Sequence, residues 1–290
     1  MNASKKLRSN LSGYSMVSPY LLHFSIFVAF PLVFSFILVF HKWNIFSPMQ
    51  PVGLGNFERL FKDVMFFTAL KNTLVFLAIH IPLQIAVALL LAVLLNSKIK
   101  LRGMFRAFYF MPVVVSGVVT TLLWQQLYAF ETGLLNDLLV KIGLNKVAWI
   151  NSPELAMPSI AIMASWKGVG FYVVLFLVGL QGIPKYLYEA ADIDGAGTLS
   201  KFFNITLPSL KNTMVLVVVL STIGGFSLFV EPFVMTGGGP MNSTLSVMLY
   251  IYNQAFVFGH MGYAAAIGFF FAFIILLVVL IQKKLIEGKD

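Results

Sequence analysis

Hydrophobic residues occur along this chain in long runs that are separated by shorter polar segments. Six of the runs have about the 20 residues that an α-helix needs to cross a bilayer. They cover residues 20–40, 73–95, 107–128, 156–180, 213–235 and 263–281, and are numbered below as spans 1 to 6. The pattern therefore predicts an all-α polytopic membrane protein with six transmembrane helices.

The composition supports a membrane protein. Hydrophobic residues make up 59% of the chain and charged residues 11%, and the mean hydropathy is +0.89. A soluble domain is typically ~45–50% apolar and ~25% charged. The spans and their short loops occupy nearly all of the 290 residues, which leaves no room for a separate soluble catalytic domain. Because the chain has no cysteine, disulfides, thiol catalysis and cysteine-ligated metals are excluded.

The positions of the basic residues predict the orientation of the chain. Thirteen Lys and Arg residues fall in the N-terminal segment 1–19, the loops 96–106 and 181–212 and the tail 282–290, against six in the loops on the opposite side. Basic loops are retained in the cytoplasm, so both termini are expected there. The strongest contribution comes from Lys98, Lys100, Arg102 and Arg106.

The loop 181–212 is much longer than a simple helix connection requires. Residues 186–191 are good helix formers, residues 192–197 interrupt them, and a second amphipathic stretch runs from Leu199 to Pro208. This pattern predicts a helix–turn–helix on the cytoplasmic face. Acidic residues on it favour a docked protein partner over contact with anionic lipid. They are Glu189, Asp192 and Asp194.

The same loop resembles the EAA loop of ABC importer permeases at full spacing. The matching residues are Glu189-Ala190-Ala191, Gly195 after three more residues, and Ile205, Leu207 and Pro208 after nine more. Residues 53–57, 69–73, 236–240, 242–244, 250–252 and 262–266 resemble the carbohydrate-uptake branch of that family. The similarity covers residues 15–285. It is to the first permease subunit of the maltose-type, binding-protein-dependent importers, without that subunit's extra N-terminal helices, and implies the type I importer permease fold.

In that family the first short helix of the loop is a coupling helix seated on a separate ATPase subunit. The resemblance implies that Glu189 faces the ATPase, that Ala190 and Ala191 allow close approach, and that Gly195 permits the turn after it. The residues assigned to coupling are Glu189, Ala190, Ala191, Asp194, Gly195, Ile205, Leu207 and Pro208, of which Ile205 to Pro208 brace the loop against the membrane helices.

The chain contains no GxxxxGK[ST] phosphate-binding motif. The energy is therefore expected to come from a separate ATPase. The resemblance implies no catalytic residue, cofactor or metal in this chain, and ATP and Mg bound by two partner ATPase subunits. The resemblance also implies a second homologous permease in a heterodimer, an extracytoplasmic solute-binding protein and the lipid bilayer as partners, but no nucleic acid. The expected location is a bacterial-type cytoplasmic (inner) membrane, which the chain crosses several times.

One face of span 5 is the first part of the predicted substrate path. Ser221, Gly224, Gly225 and Leu228 share this face by their i, i+3, i+4 and i+7 spacing, and Glu231 lies on its flank. The resemblance implies that this face contacts sugar, although the maltose-type permease has amides and aromatics where this chain has glycines. The two glycines either open space for a differently shaped sugar or pack against a neighbouring helix.

Spans 3 and 4 supply the rest of the path. Lys167 lies about halfway along span 4, where a charge costs about 2.5–3.5 kcal/mol on insertion scales. It is expected to face the bundle interior or a wet cavity, either paired with a carboxylate such as Glu231 or in contact with the substrate. The resemblance adds Ala164 and Gly168 of span 4, and Val113, Ser116 and Gly117 of span 3.

The sequence thus predicts a permease subunit of an ATP-driven importer for a sugar or oligosaccharide, and not an enzyme. One alternative is that the same machinery imports glycerol 3-phosphate or another polar anion, with Lys167 as the discriminating residue. A second alternative is a proton-coupled secondary transporter that uses His80, Lys167 and Glu231, but this leaves the loop 181–212 unexplained.

Overall fold

The computed structural model describes residues 2–96 and 102–288 of the chain. Five helices in the described part are long and apolar enough to cross a membrane, and a pair of shorter helices bent by 107° makes a sixth if the pair is one span. The predicted all-α polytopic fold is thereby confirmed. Lys98 and Lys100, on which the predicted orientation partly depends, lie outside the described residues.

The spans differ in how regular they are. The helix that contains span 1 is made of Asn2–Phe24, a π-helical segment Ser25–Ala29 and Phe30–Leu38, of which Gly13–Leu38 is apolar enough to cross a membrane. Span 2 is Val64–Asn96, span 4 is Pro153–Gln181 and span 6 is Met261–Glu287. Span 3 consists of Arg102–Val114 and Gly117–Leu127, and span 5 of Lys211–Phe226 and Val230–Met235.

The segments between the spans are also folded. Strands His41–Lys42 and Gln50–Pro51 pair antiparallel, with His41 opposite Pro51, and are followed by the helix Gly55–Phe61. Helix Leu134–Lys141 follows span 3, and Val247–Tyr252 with the π-helical Asn253–Val257 precedes span 6. The loop 181–212 contains Lys185–Ile193, Thr198–Lys201, the π-helical Phe202–Thr206 and Leu207–Ser209.

The chain forms two compact units, Met1–Asp63 with Ile251–Phe271 and Val64–Tyr250 with Ala272–Asp290. In the second unit, spans 2 and 4 pack along most of their length. Ala88 and Ala92 of span 2 are fully buried in one cluster with Val173 and Phe176 of span 4. Small residues let two helix backbones approach closely, which matters in a bilayer because lipid is as apolar as the helix surfaces.

Span 3 is not the single helix that its apolar run predicts. The break at residues 115–116 follows Pro112, which has no N–H for the helix ladder, and the β-branched residues 113–115, which are weak helix formers. Ser116 takes an extended conformation (φ −50°, ψ 136°), and its carbonyl accepts the first hydrogen bond of Gly117–Leu127, from the amide N–H of Thr120 at 3.0 Å. Hydropathy alone does not reveal such a break.

Candidate functional site

The breaks in spans 3 and 5 border one cavity of about 370 Å³. Its walls come from spans 2, 3, 4 and 5, all within the second unit. Helix Val230–Met235, after the break in span 5, packs on Gly117–Leu127, after the break in span 3. The predicted path residues that line the cavity are Val113, Ala164, Lys167, Gly168, Gly224, Gly225, Leu228 and Glu231.

The other three predicted path residues are not among those that line the cavity. The carbonyl of Ser116 accepts the hydroxyl of Thr120 at 3.0 Å. Gly117 faces Lys167, because a Cβ atom placed on it would lie 2.9 Å from the Lys167 Nζ. Ser221 is buried, and its hydroxyl donates to Gln84 Oε1 at 2.7 Å. Ser221 therefore orients a lining side chain.

Span 2 contributes a wall that the sequence analysis did not include. Phe76, His80 and Gln84 line the cavity from positions i, i+4 and i+8 of one helical face. His80 Nδ1 is hydrogen-bonded to Ser165 Oγ at 2.9 Å, and the Phe76 ring stacks on the imidazole with centroids 4.8 Å apart. Two polar residues one turn apart in an apolar span were the signal for this face. Further unpredicted lining residues are Tyr172, Ser227 and Val230.

The cavity contains one cationic and one anionic side chain. Lys167 and Glu231 both line it and are both half-buried. Among the described residues, neither forms an ion pair with N···O within 4.0 Å, so Lys167 is not paired with Glu231, which was one of the alternatives left open for it. The ammonium offers three donors and the carboxylate only acceptors. Together with Gln84, Ser227 and Tyr172, they give the cavity the means to bind a ligand rich in hydroxyl groups.

The two glycines of span 5 have different surroundings. A Cβ atom on Gly224 would have the Tyr172 hydroxyl as its nearest neighbour, at 4.0 Å, so Gly224 faces open space. A Cβ atom on Gly225 would collide with the side chain of Leu77 in span 2. Both interpretations of this pair are therefore found, cavity space at Gly224 and helix packing at Gly225.

The loop 181–212 presents an exposed helix. Glu189 and Ala190 are on the exposed face of Lys185–Ile193, whereas Ala191 is only 9% exposed and faces inward. The helix ends where Gly195 adopts a positive φ of 72°, a conformation that costs glycine little. The amide N–H of Ala196 then donates to the Ala191 carbonyl at 2.8 Å, which satisfies one of the last carbonyls of the helix.

The loop packs against the end of span 4 and the start of span 5. Tyr188 Oη and Thr206 Oγ1 lie 2.9 Å apart in a hydrogen bond, and Tyr188 and Ile205 pack on a buried cluster that includes Leu180 and Leu210. Asp192 forms an ion pair with Lys201. Of the remaining predicted coupling residues, Leu207 is half-buried, and Asp194 and Pro208 are exposed. The loop therefore packs against residues at the ends of both spans.

The segment 242–247, which follows the glycine-rich residues 236–240, is hydrogen-bonded to span 2. Asn72 Nδ2 donates to the carbonyls of Asn242 at 2.7 Å and Leu245 at 3.1 Å, and Thr73 Oγ1 accepts the amide N–H of Val247 at 3.1 Å. Two of the sequence motifs that resemble the carbohydrate-uptake branch thus contact each other. Within the part of the chain that the structure describes, no group of three or more His, Cys, Asp or Glu residues is placed to hold a metal ion.

Interrupted membrane helices around a polar cavity are typical of transporters, in which broken helices expose backbone groups to the substrate. The fold and the cavity thus define a membrane permease. Residues 84–288 match the family described as "Binding-protein-dependent transport system inner membrane component". The chain belongs to this family of membrane transport proteins, as the resemblance of its EAA loop indicated.

Two relatives from Bacillus subtilis (strain 168) are 39% identical to this chain. The match to the probable ABC transporter permease protein YurN covers 94% of this chain and 98% of the relative, and the match to the arabinooligosaccharides transport system permease protein AraP covers 94% and 87%. A solved bacterial alginate ABC transporter contains a chain with 24% identity and a TM-score of 0.83, over 97% of this chain and 96% of that one. This structural match confirms the predicted permease fold.

Proposed function

We propose that this chain is a transmembrane subunit of an ATP-driven, binding-protein-dependent importer of a sugar or oligosaccharide. The observation that carries the proposal is the polar cavity at the breaks of spans 3 and 5, in a chain that also presents an exposed helix in an EAA-type loop. The names of relatives support the substrate class, since AraP is named for arabinooligosaccharides and the solved transporter for alginate.

The lining chemistry suits a sugar. The carboxylate of Glu231 accepts hydroxyl hydrogens and the ammonium of Lys167 donates to hydroxyl oxygens, and such charge-assisted hydrogen bonds are about twice as strong as neutral ones. The charges of these two residues cancel, and a lining with no net charge from them favours a neutral ligand. Phe76 adds an aromatic surface for the apolar faces of a sugar ring.

Coupling follows from the loop 181–212. In this proposal, the exposed face of Lys185–Ile193 docks on one of two ATPase subunits, which bind ATP and Mg. Glu189 and Ala190 meet the ATPase, while Ala191 and Ile205 hold the helix to spans 4 and 5. Closure of the ATPase dimer then displaces the helix and changes the side of the membrane to which the cavity opens.

The remaining partners follow from the predicted orientation. Both termini and the loop 181–212 lie in the cytoplasm, and the membrane is the cytoplasmic (inner) membrane of a bacterial-type cell. The loops 129–155 and 236–262 face the solute-binding protein that delivers the sugar. A second, different permease of the same family completes the path.

The test is purification of the chain from native membranes in mild detergent, followed by reconstitution in liposomes with its binding protein. We expect an ATPase and a second permease to copurify. Uptake of a labelled sugar into the liposomes is expected to require ATP on the side of the membrane that the loop 181–212 faces. Purification of the chain alone, with uptake driven by a proton gradient, would contradict the proposal.

Import of a polar anion such as glycerol 3-phosphate is the second candidate function. It is favoured by Lys167, whose ammonium has no carboxylate partner among the described residues. Glu231 in the same cavity opposes it by repulsion. Competition distinguishes the two, because an anionic solute that blocks labelled sugar uptake at equal concentration would favour the anion.

A further inference from the structure

A second cavity, of about 670 Å³, lies where span 1 ends and span 6 begins. All of its lining residues belong to the unit Met1–Asp63 with Ile251–Phe271, and none of them lines the cavity described above. The strand pair and the helix Gly55–Phe61 form one side. The amide N–H of Met261 donates to the carbonyl of Trp43 at 3.0 Å and closes the other side.

This second cavity is positively charged. Lys42 and Arg59 line it, and the described lining residues include no Asp or Glu. Arg59 Nη2 lies 3.4 Å from Gln254 Oε1 and 3.4 Å from His260 Nδ1, both on uncharged partners. Neither basic side chain forms an ion pair within the described residues. The two charges are therefore available to an anion.

The guanidinium is held in place for such a ligand. Arg59 Cζ lies 3.9 Å from the centroid of the Tyr263 ring, and Tyr263 Oη donates to Asp63 Oδ2 at 2.5 Å. Stacking fixes the plane of the guanidinium but leaves N–H groups at its edge, which match the oxygens of a phosphate. Desolvation, followed by the charges of Arg59 and Lys42, lowers the pKa of His260.

The rim of the cavity is apolar. The loop between the lining residues Asn44 and Ser47 exposes Ile45 and Phe46, and the Phe46 side chain is 95% exposed. Phe258, which also lines the cavity, is 57% exposed. Because the rim lies at the ends of spans 1 and 6, we expect these side chains at the level where aromatic residues meet lipid headgroups.

We propose that this cavity binds the headgroup of an anionic phospholipid in the leaflet that holds the end of span 1. Lys42 and Arg59 contact the lipid phosphate, and Phe46 and Phe258 contact the start of the acyl chains. A soluble anion would make the same contacts with Lys42 and Arg59, but it would not contact the apolar rim. Lipid is favoured over an acidic side chain of a protein partner because the cavity lies at the ends of two membrane spans and the Phe46 side chain at its rim is almost fully exposed.

The test is native mass spectrometry of the full-length chain, released from mixed phosphatidylglycerol and phosphatidylcholine micelles. We expect the wild type to retain one phosphatidylglycerol in preference to phosphatidylcholine. Each of Lys42→Gln and Arg59→Gln is expected to weaken that retention about fivefold, since one basic residue near the surface is worth about that factor for an anionic lipid. Lys62→Gln removes a charge from an exposed position outside the cavity and is the matched control.

Further comparisons separate loss of the lipid site from loss of folding. Lys42 is exposed, so Lys42→Gln reports on the cavity even where Arg59→Gln disturbs folding. Phe46→Ser is expected to weaken retention with both charges intact. Equal loss in Lys62→Gln, or no loss in either cavity variant, would show unspecific lipid and overturn the proposal. Complete displacement of the lipid by millimolar inorganic phosphate would make this a site for a free anion, and loss of binding-protein docking without loss of lipid would make it a protein contact.

Discussion

The two glycines of span 5 allow packing and cavity space to be tested one residue apart. Gly224→Trp is expected to fill the cavity and abolish sugar uptake while the complex still assembles, because its Cβ position is open. Gly225→Trp is expected to lower the yield of assembled complex, because it overpacks the contact with Leu77, at a cost of about 1–3 kcal/mol or more. The measurements are ATP-driven uptake in liposomes and complex yield by size-exclusion chromatography.

Gly268→Trp is the control for this pair. Gly268 lies in span 6, outside the cavity lining, and a Cβ atom on it would have no neighbour within 4 Å. It introduces the same side chain into a membrane helix and is expected to leave uptake unchanged. If Gly224→Trp and Gly225→Trp both lose assembly, the cavity does not have the open wall at Gly224 on which the proposed path depends.

Lys167 is the residue at which substrate selectivity is tested. Its ammonium has no ion-pair partner within the described residues, so Lys167→Met leaves no carboxylate unpaired, and expression is expected to be unchanged. Hydrogen bonds to a charged group are worth about 1.5–3 kcal/mol, so the affinity for the transported sugar is expected to fall about 10- to 100-fold. Uptake at graded sugar concentrations measures this. Lost expression with unaltered selectivity would make Lys167 a structural residue.

At the scale of elements, the helix Lys185–Ile193 has two adjacent alanines with opposite environments. Ala190→Trp changes an exposed position, where substitutions alter stability by about 0.5 kcal/mol, so folding is expected to be retained. The bulky ring is expected to prevent docking on the ATPase and to uncouple ATP hydrolysis from uptake. Ala191→Trp enlarges a buried residue and is expected to reduce folded protein instead. The readouts are ATPase activity stimulated by the binding protein and thermal unfolding.

The outcome that contradicts the coupling proposal is uptake at the wild-type rate in Ala190→Trp. A matched exposed substitution, Tyr186→Trp, lies at the start of the same helix and keeps an aromatic ring. It is expected to affect coupling less. Equal effects in both variants would mean that the whole helix surface, and not the contact at Ala190, determines docking.

The elements differ in how far the sequence predicts them. The apolar runs located the spans because each is long enough to cross a bilayer. The helix–turn–helix of the loop 181–212 was predictable because Gly195 follows a run of good helix formers. The break in span 3 was not, because a proline in an apolar run does not by itself end a helix. Pro82 lies inside the unbroken helix of span 2, whereas span 3 breaks after Pro112.

The cavity follows the same division. Helical periodicity predicts a face with Gly224 and Gly225, and both line the cavity. Leu228 and Glu231 also line it, but they follow the end of the helix at Phe226, so the break in span 5 and not that periodicity determines their positions. The wall from span 2 depends on the rotation of that helix, which is determined by its packing against span 4. His80 and Gln84 therefore became recognisable as lining residues only from the packed structure, although their polarity within an apolar run was visible in the sequence.

At the scale of the whole molecule, spans 3 and 5 are both interrupted beside the cavity. An interrupted helix leaves backbone groups without partners in the helix, and these are tolerated at membrane depth only where they line protein or water. The hydrogen bond from Gln125 Nε2 to the Met235 carbonyl, at 3.0 Å, links the two halves that follow the breaks. The bend of 107° in span 3 thus lies at the cavity wall. Because a helix pair bent this sharply either crosses the membrane or re-enters it, the number of membrane crossings can be tested directly.

The absence of native cysteine allows that measurement without background. Ser47→Cys, in the hairpin after span 1, and Ser200→Cys, in the loop after span 4, place one thiol each at an exposed position. Spans 2, 3 and 4 separate them, so an odd number of crossings puts them on opposite sides. We expect a membrane-impermeant maleimide to label Ser47→Cys in intact cells and Ser200→Cys only after permeabilisation. Both variants must be labelled in detergent, which controls for thiol reactivity. Labelling of both variants from the same side would mean that the bent pair of span 3 re-enters the membrane without crossing it. The reversed pattern would place the loop 181–212 outside the cell, where no ATPase could dock on it.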